Sequence, residues 1–261
     1  KKESVALAVE NAENSEIVKG CIIERPKVIF NKLTGKFVMW FHLELKGQGY
    51  AAARSGLAVS DKVTGPYTFI RSERINAGKY PLNISHSVHQ LNTEDKKYEK
   101  WWTPEWKTAV EEGLFVKRDL RSGQMARDMT LFVDDDEKAY HVYSSEDNLT
   151  LHIAELTDDY QSHTGRYIRV APAGHNEAPA IFKRNGTYWM ITSGCTGWEP
   201  NEARMFSAES ILGPWKQYPN PMRGKKAEIT FGGQSTYIQQ VYGKKDAYIF
   251  MADMWRPSFP I

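Results

Sequence analysis

The hydrophobic and polar positions of this chain alternate in short runs that predict β-strands separated by tight turns. The segment GHNEAPAIFKRNGTYWMITSG, residues 174–194, places an apolar run on each side of Asn185-Gly186. Asn-Gly between two β-prone runs predicts a hairpin. Glu177 stands at the start of the first strand, where an ionised carboxylate would be costly to bury unless it had partners or a chemical task.

The same pattern occurs again elsewhere in the chain. Residues 24–41 and 177–191 both read Glu-x-Pro, an apolar strand, a turn that ends in glycine, and an aromatic-rich strand. Two looser copies begin at Asp128 and Gln234. Units of about 50 residues with three or four short strands are typical of β-propeller blades. The pattern therefore predicts an all-β propeller.

Propeller geometry gives the first residue of each unit a common location. The innermost strand of every blade runs beside the central axis, so equivalent strand ends converge on one mouth of the channel. The residues at these ends are Glu24, Asp128, Glu177 and Gln234. Each could instead satisfy neighbouring backbone groups at a blade edge, but four in register favour an axial pocket.

Residues 75–124 interrupt the repeat and predict an insertion between units. The segment contains Trp101, Trp102 and Trp106, and the run 106–115 is amphipathic. We predict a partly helical insertion that lies over one rim of the propeller. Its aromatic residues could form a wall of the substrate site, but packing against the propeller is the favoured role.

Composition and charge exclude several classes of function. The 261 residues include 41% hydrophobic and 25% charged residues, with a formal net charge of +2. This balance predicts no binding of nucleic acid or of an anionic membrane. No apolar run approaches the roughly 20 residues of a membrane span. The two cysteines, Cys21 and Cys195, are too few and too far apart to predict a disulfide framework or a zinc site.

Several motifs together resemble glycoside hydrolase family 43, in particular its galactan 1,3-β-galactosidase-like members. The matching segments, in family order, are ERPKVIFN with VMWFH, RDMTLFVDDD, NEAPAIFK, TSGCTGW and QST. The resemblance implies a five-bladed β-propeller whose axial active site hydrolyses glycosidic bonds with inversion. It also implies a monomer with an oligo- or polysaccharide substrate, no required cofactor, and an extracytoplasmic location, and it leaves open a structural ion near the axis.

The resemblance also assigns roles to the four converging residues. Glu177 matches the general acid, and Asp128 matches the carboxylate that orients this acid and keeps its pKa high. Such an acid must hold its proton near neutral pH, and a nearby like charge disfavours its ionisation. Glu24 and Gln234 match positions around the attacking water and the bound sugar, where a glutamine, through its imidic-acid tautomer, is thought to replace the usual aspartate base.

Three further residues are candidates for substrate binding rather than for chemistry. Arg127 and His42 could grip sugar hydroxyls, and Trp198 could stack on a sugar ring. A purely structural role is an equal alternative for each of them. No metal ligands are predicted.

The chain departs from the family pattern in the number of its units. Four are visible where five are expected, so we predict one propeller catalytic domain over residues 1–261 that is truncated at both ends. A first blade would precede Lys1, and Ser4–Val9 would be its last strand. Without that blade, the choice between a Gln-assisted and an Asp-assisted mechanism stays open.

Two alternatives to a β-1,3-galactanase follow from the same sequence. The first keeps the enzyme class and changes the sugar, to an α-L-arabinofuranosidase or β-xylosidase. The second is a propeller that binds glycans without cleaving them. Glu177 and Asp128 together argue against this second alternative, because a binding module has no need for a high-pKa acid.

Overall fold

The computed structural model describes residues 7–8 and 15–255 and is built mainly from antiparallel sheets. The strands of the first sheet are β1 (Leu7–Ala8), β2 (Ile22–Asn31), β3 (Lys36–Glu44), β4 (Arg54–Ser60) and β5 (Tyr67–Glu73). Strands β2 to β5 pair in chain order, and β1 pairs in parallel with β5 at the outer edge. Residues 4–6 and 9 of the predicted strand Ser4–Val9 lie outside the described residues. The prediction that this strand completes a different blade is wrong for Leu7–Ala8, which pairs with β5 of the first sheet.

Two four-stranded sheets and a two-stranded sheet follow along the chain. The second sheet has strands β6 (Met129–Val133), β7 (Ala139–Ser145), β8 (Thr150–Leu156) and β9 (His163–Val170). The third has strands β10 (Asn176–Arg184), β11 (Thr187–Gly194), β12 (Arg204–Ala208) and β13 (Lys216–Tyr218). The last has strands β14 (Gln234–Gln240) and β15 (Tyr248–Asp253). The four predicted units are thus four sheets.

The first strands of successive sheets lie next to one another. Strand β2 contacts β6, β6 contacts β10, and β10 contacts β14. Successive sheets that meet through their first strands have the arrangement of propeller blades. The all-β prediction is confirmed, whereas the number of five blades stays a prediction.

The hydrophobic core fills the spaces between neighbouring sheets. Trp40 and Tyr143 are fully buried between the first and second sheets, and Ile181 and Phe206 pack with side chains of the second sheet. Ile238 joins the last sheet to the third. Each such side chain contributes about 1.5–3 kcal/mol on burial, so the packing between sheets fixes where their first strands lie.

The insertion begins and ends where the sequence predicted. Ile75 and Gln124 exchange two backbone hydrogen bonds, of 3.1 and 2.6 Å. Between them lie helices α1 (Pro104–Glu112) and α2 (Leu114–Asp119) and two 3₁₀ turns, His86–Gln90 and Lys96–Tyr98. A third such turn, Ala227–Gly232, precedes β14. The partly helical character of the insertion is confirmed.

The insertion has a hydrophobic core of its own. Trp106 is fully buried there and packs with Phe115 of α2 and with Leu149, which precedes β8. Trp101 and Trp102 stack around Trp106 with their outer faces exposed. The favoured role of these aromatics, packing of the insertion onto the propeller, is therefore the one observed. Within residues 15–255, no helix is long and apolar enough to cross a membrane.

Candidate active site

The Glu-x-Pro motif forms a β-bulge at the start of two first strands. The pairing register shifts after Glu24 in β2 and after Glu177 in β10. The next residues, Arg25 and Ala178, adopt left-handed backbone conformations with φ of 52° and 51°. Proline has no N–H to lose from the ladder, and bulges redirect side chains at strand ends. The repeated motif therefore encodes a repeated local geometry.

All seven predicted site residues line one cavity of about 280 Å³. They are Glu24, His42, Arg127, Asp128, Glu177, Trp198 and Gln234. The cavity is completed by Arg25, Tyr50, Asn148, Gly197 and Trp255. The predicted convergence of the four lead residues is therefore observed, and the lining residues come from all four sheets or from the loops beside them, not from the insertion.

The carboxyl group of Glu177 keeps its proton to higher pH than an ordinary glutamate does. Burial and the nearby negative charge of Asp128 raise its pKa to about 7, and opposing effects of Cys195 and the cationic Arg25 and Arg127 do not cancel this. The amide of Asn148 donates a 2.7 Å hydrogen bond to Oε1 of Glu177. A carboxylic acid with this pKa can release its proton near neutral pH, as a general acid requires.

Arg25 connects three of the polar groups around the cavity. Its side chain is 5% exposed and its guanidinium lies 3.0 Å from Asp128 and 2.7 Å from Asp253, in charge-assisted contacts. It also donates to Oε1 of Gln234. Arg25 lies on β2, and its partners belong to β14, β15 and the residue before β6. Its side chain therefore links the first sheet to both the second and the last sheet.

The side-chain amide of Gln234 has a defined orientation. Oε1 accepts hydrogen bonds from Arg25 and from the indole N–H of Trp255, the latter at 2.8 Å. Nε2 donates to the hydroxyl of Ser193 at 2.9 Å. Since only the oxygen can accept from both donors, the amide is fixed. An imidic-acid tautomer would carry a proton on Oε1 and so conflict with these two donors.

Glu24 occupies the other end of the cavity in a different environment. Tyr50 donates a 2.8 Å hydrogen bond to Oε1, and His42 Nδ1 lies 3.2 Å from Oε2, an ion-pair contact with poor hydrogen-bond geometry. His42 also contacts the fully buried Glu44 at 2.7 Å. Burial alone would raise the pKa of Glu24, but His42, Tyr50 and Arg25 together lower it. Burial alone would lower the pKa of His42, but the carboxylates of Glu24 and Glu44 together raise it.

Arg127 and Trp198 take positions suited to contact with a ligand. Arg127 donates to the backbone oxygen of Tyr50 at 2.8 Å, and its buried Nε has no hydrogen-bond partner among the described residues. Trp198 is 53% exposed and meets Trp255 edge to face, with 5.1 Å between ring centroids. The two indoles form an aromatic wall, and such rings are suited to stacking against sugars.

Sequence reasoning missed five residues that line this cavity, which are Arg25, Tyr50, Asn148, Gly197 and Trp255. Arg25 is the variable position of Glu-x-Pro, so the motif itself drew attention away from it. Tyr50, Asn148 and Trp255 lie in loops that carry no repeat signal. Asn148 offered one hint, because the polar segment Glu146–Asn148 separates two strongly apolar strands.

The site offers general acid, charge and hydrogen-bond chemistry rather than a metal cluster. Among residues 15–255, no group of three or more His, Cys, Asp or Glu side chains is arranged to hold a metal ion. Carboxyl groups, an amide and aromatic rings around one cavity are the groups that glycoside hydrolysis uses.

Comparison with known protein families identifies the family of this chain. The model of glycosyl hydrolases family 43 matches residues 26–255, which is most of the chain. The chain belongs to glycosyl hydrolase family 43. The resemblance inferred from the motifs is thereby confirmed.

Solved structures similar to this family 43 chain include galactan-degrading proteins. A family 43 β-1,3-galactosidase solved with galactodeoxynojirimycin is 65% identical, with a TM-score of 0.94 over 98% of this chain and 74% of that chain. An exo-β-1,3-galactanase from Phanerochaete chrysosporium, solved with galactose, is 29% identical. Its TM-score is 0.68 over 97% of this chain and 47% of that one.

A curated relative supports the same family over a shorter region. The β-D-galactofuranosidase xynD of Aspergillus niger is 30% identical over 128 residues. The matched region covers 44% of this chain and 37% of the relative. The chain thus matches little more than a third of that relative's length.

Proposed function

We propose that this family 43 chain is an exo-acting glycoside hydrolase that removes galactose from a β-1,3-linked galactan with inversion. The observation that carries the proposal is the placement of Glu177, with a pKa of about 7, beside Asp128 in a cavity that also holds Glu24 and Gln234. The 65% identity to a β-1,3-galactosidase supports galactose as the sugar.

In the proposed mechanism, Glu177 donates its proton to the oxygen of the departing sugar. Asp128 keeps that proton in place through its negative charge, and Arg25, at 3.0 Å, orients the Asp128 carboxylate. The carboxylate of Asp128 therefore acts on the acid rather than on the sugar. In this scheme the two nearby carboxyl groups have different tasks, as paired carboxyl groups in glycoside hydrolases commonly do.

Gln234 takes the role of holding the attacking water, whose oxygen bonds to the anomeric carbon as the bond to the departing sugar breaks. Because the amide oxygen of Gln234 already accepts from Arg25 and Trp255, the amide takes up no proton. The proton that the water loses passes to solvent, and Glu177 regains a proton from solvent.

The amide of Gln234 is fixed by Arg25, Trp255 and Ser193, so it is preorganised as a positioning group. Asp128 is the aspartate among the described cavity-lining residues, and it is engaged by Arg25. We therefore favour the Gln-assisted mechanism over one that uses an aspartate base. Glu24, Arg127 and His42 bind sugar hydroxyls, and Trp198 stacks on a ring.

The remaining expectations complete this proposal. The chain forms a five-bladed propeller domain, acts as a monomer outside the cytoplasm, and needs no cofactor, and an ion near the axis would be structural. The substrate is a polysaccharide, not nucleic acid.

The test compares the wild type with Glu177→Gln on β-1,3-galactan and on a panel of nitrophenyl glycosides. We expect release of galactose as the α-anomer, observed by NMR, and a loss of about 10²- to 10⁴-fold in turnover for the variant. Release of arabinose or xylose would select the alternative sugars. Glycan affinity without turnover on any substrate would select a binding module.

A second variant tests the role of the amide. We expect Gln234→Ala to lower turnover more than it lowers affinity, because the water is positioned only for the reaction. Unchanged turnover of Gln234→Ala would contradict the Gln-assisted mechanism and favour an aspartate base.

A further inference from the structure

The turn between β7 and β8 places a side chain directly on the candidate acid. Asn148 ends this turn, and its Nδ2 donates a 2.7 Å hydrogen bond to Oε1 of Glu177. An amide N–H donates preferentially to the unprotonated oxygen of a neutral carboxylic acid. Asn148 therefore fixes the carboxyl group and leaves the acidic proton on Oε2.

The backbone of this turn is unfavourable on its own. Glu146, Asp147 and Asn148 all have left-handed conformations, with φ of 51°, 56° and 66°. Left-handed geometry is unfavourable for residues other than glycine, and even Asn and Asp, which tolerate it best, normally adopt it singly. Three in succession persist only if other contacts hold them in place.

Glu146 is anchored to the insertion through a buried arginine. Its carboxylate is fully buried and receives hydrogen bonds of 2.7 Å from both Nε and Nη2 of Arg169, and a contact of 2.8 Å from His152. The same guanidinium donates to the backbone oxygens of Val110 and Glu111 at the end of α1, at 2.6 and 2.8 Å. One side chain thus connects the turn to the first helix of the insertion.

Asp147 and Leu149, on either side of Asn148, also hold the turn through contacts with the insertion and with the segment that leads into β10. Arg118, on α2, lies 2.5 Å from the carboxylate of Asp147. Leu149 is buried in the core of the insertion, and its backbone oxygen accepts from the N–H of His175, two residues before Glu177. The insertion lines no part of the cavity, yet it holds the turn that contacts the acid.

We propose that the insertion is a positioning element for the acid, acting through the clamped turn of residues 146–148 and the amide of Asn148. This inference rests on the proposed function of Glu177. Asn148 and Arg118 are positioning residues in this scheme, since both act through the carboxyl group of Glu177. Loosening the turn through Arg118, which does not line the cavity, would impair proton donation without removing a group from the sugar site, whereas Asn148 itself lines the cavity.

The dependence of turnover on the leaving group distinguishes positioning of the acid from a direct contact with the substrate. An aryl galactoside has no second sugar, so a lost contact to that sugar cannot affect it. Phenyl β-galactoside needs proton donation to its leaving group, whereas 2,4-dinitrophenyl β-galactoside needs little. Wild type, Asn148→Ala and Arg118→Met are assayed on both compounds, together with Arg121→Met. Arg121 is exposed, and within residues 15–255 it makes no ion pair or side-chain hydrogen bond.

We expect Asn148→Ala to lose about 10-fold on phenyl β-galactoside, since small misplacements of a reacting group are costly. Arg118→Met should lose several-fold, and both should keep near wild-type turnover on the dinitrophenyl compound. Arg118→Lys, which retains a cation beside Asp147, should recover most of the loss, and Arg121→Met should match the wild type. On β-1,3-galactobiose, the fall of activity at high pH should move to higher pH, because a donor that favours the ionised acid is lost.

The proposal is overturned if Asn148→Ala and Arg118→Met slow both aryl galactosides equally, or neither, with an unshifted pH profile. If Arg118→Met does not fold, Asp147→Asn removes the same ion pair with little change in packing and gives the same readout. If Glu177→Gln retains its turnover on β-1,3-galactobiose, the proposed function fails instead, and the two failures are thus distinguishable.

Discussion

Glu24 and Glu177 each open the first strand of a sheet, each precedes a left-handed residue and a proline, and each faces the same cavity. Their carboxyl groups nevertheless differ in charge state. The pKa of Glu24 lies below its ordinary value, whereas that of Glu177 is raised to about 7. The local motif gives both side chains the same position, and the neighbours contributed by other strands decide their chemistry.

The neighbours of the two residues have opposite characters. Glu24 receives a hydroxyl hydrogen bond from Tyr50 and contacts His42, whose own charge is supported by Glu44. Glu177 is more deeply buried, faces the charge of Asp128, and has the neutral amide of Asn148 as its hydrogen-bond donor. The surroundings of Glu24 therefore favour an anion, and those of Glu177 favour a neutral acid, although the same motif positions both.

The largest difference between Glu177 and Glu24 should appear in how each residue changes the free energy of unfolding with pH. A carboxyl group with a raised pKa destabilises the folded protein as pH rises from its ordinary value of 4.5 through 7, because the unfolded chain ionises more readily. Glu177→Gln should therefore be more stable than wild type at pH 8, by up to about 3 kcal/mol, and no more stable below pH 4.

Glu24→Gln provides the matched comparison. The lowered pKa of Glu24 stabilises the fold above pH 4.5 and this contribution is lost as pH falls, so this variant should be less stable than wild type at pH 8. Denaturant unfolding at pH 4 and pH 8 measures both differences. Equal changes of the same sign in the two variants would refute the electrostatic contrast.

A smaller effect is expected when the negative charge of Asp128, which lies near Glu177, is removed. In Asp128→Asn, the like charge beside Glu177 is removed and Arg25 loses an anionic partner, so the pKa of Glu177 should fall. The fall of activity at high pH should then begin at lower pH, with about a tenfold loss at neutral pH for each unit by which that pKa decreases. A pH profile of kcat/KM measures this.

A pH profile of Asp128→Asn that keeps its shape while its height drops would assign Asp128 to the sugar rather than to the acid. Binding of galactose, measured by calorimetry, serves as the control for that outcome, since a residue that acts only on the acid should leave this affinity nearly unchanged.

The smallest effect is expected at Tyr50. Tyr50→Phe removes the hydroxyl that donates to Glu24, so the pKa of Glu24 should rise and the fold should lose about 1 kcal/mol at pH 7. Carbon NMR titration of the glutamate carboxyl groups measures the first change, and denaturant unfolding measures the second. Tyr237→Phe, at a 40% exposed tyrosine of β14, is the matched control and should change neither.

Local sequence pattern was sufficient for much of the fold. Asn185-Gly186 produces the expected hairpin, with φ of 50° and 78°, because left-handed turn residues match the twist of the flanking strands. The repeated Glu-x-Pro motif marks the bulged strand starts, and the break in period marks the insertion at residues 75–124. These features depend on residues close together in the chain, so they can be read from it.

The position of the four lead residues was also accessible from sequence, because a repeat implies equivalent positions around one axis. The pairing of Leu7–Ala8 with β5 was not, since two residues carry no pattern that selects a partner strand. The same limit applies to Arg25, whose three partners lie 103 to 228 residues further along the chain.

The chain by itself therefore determined the strands, the turns, the repeat, and which polar side chains lead into the cavity. The resemblance to a family already assigned the raised pKa to Glu177, but only the tertiary structure showed which neighbours set the pKa values of the two glutamates, and that Asn148 donates to Glu177. The physical reason is that strand and turn formation depend on neighbours in sequence, whereas a pKa depends on burial and on charges that packing brings within a few ångströms.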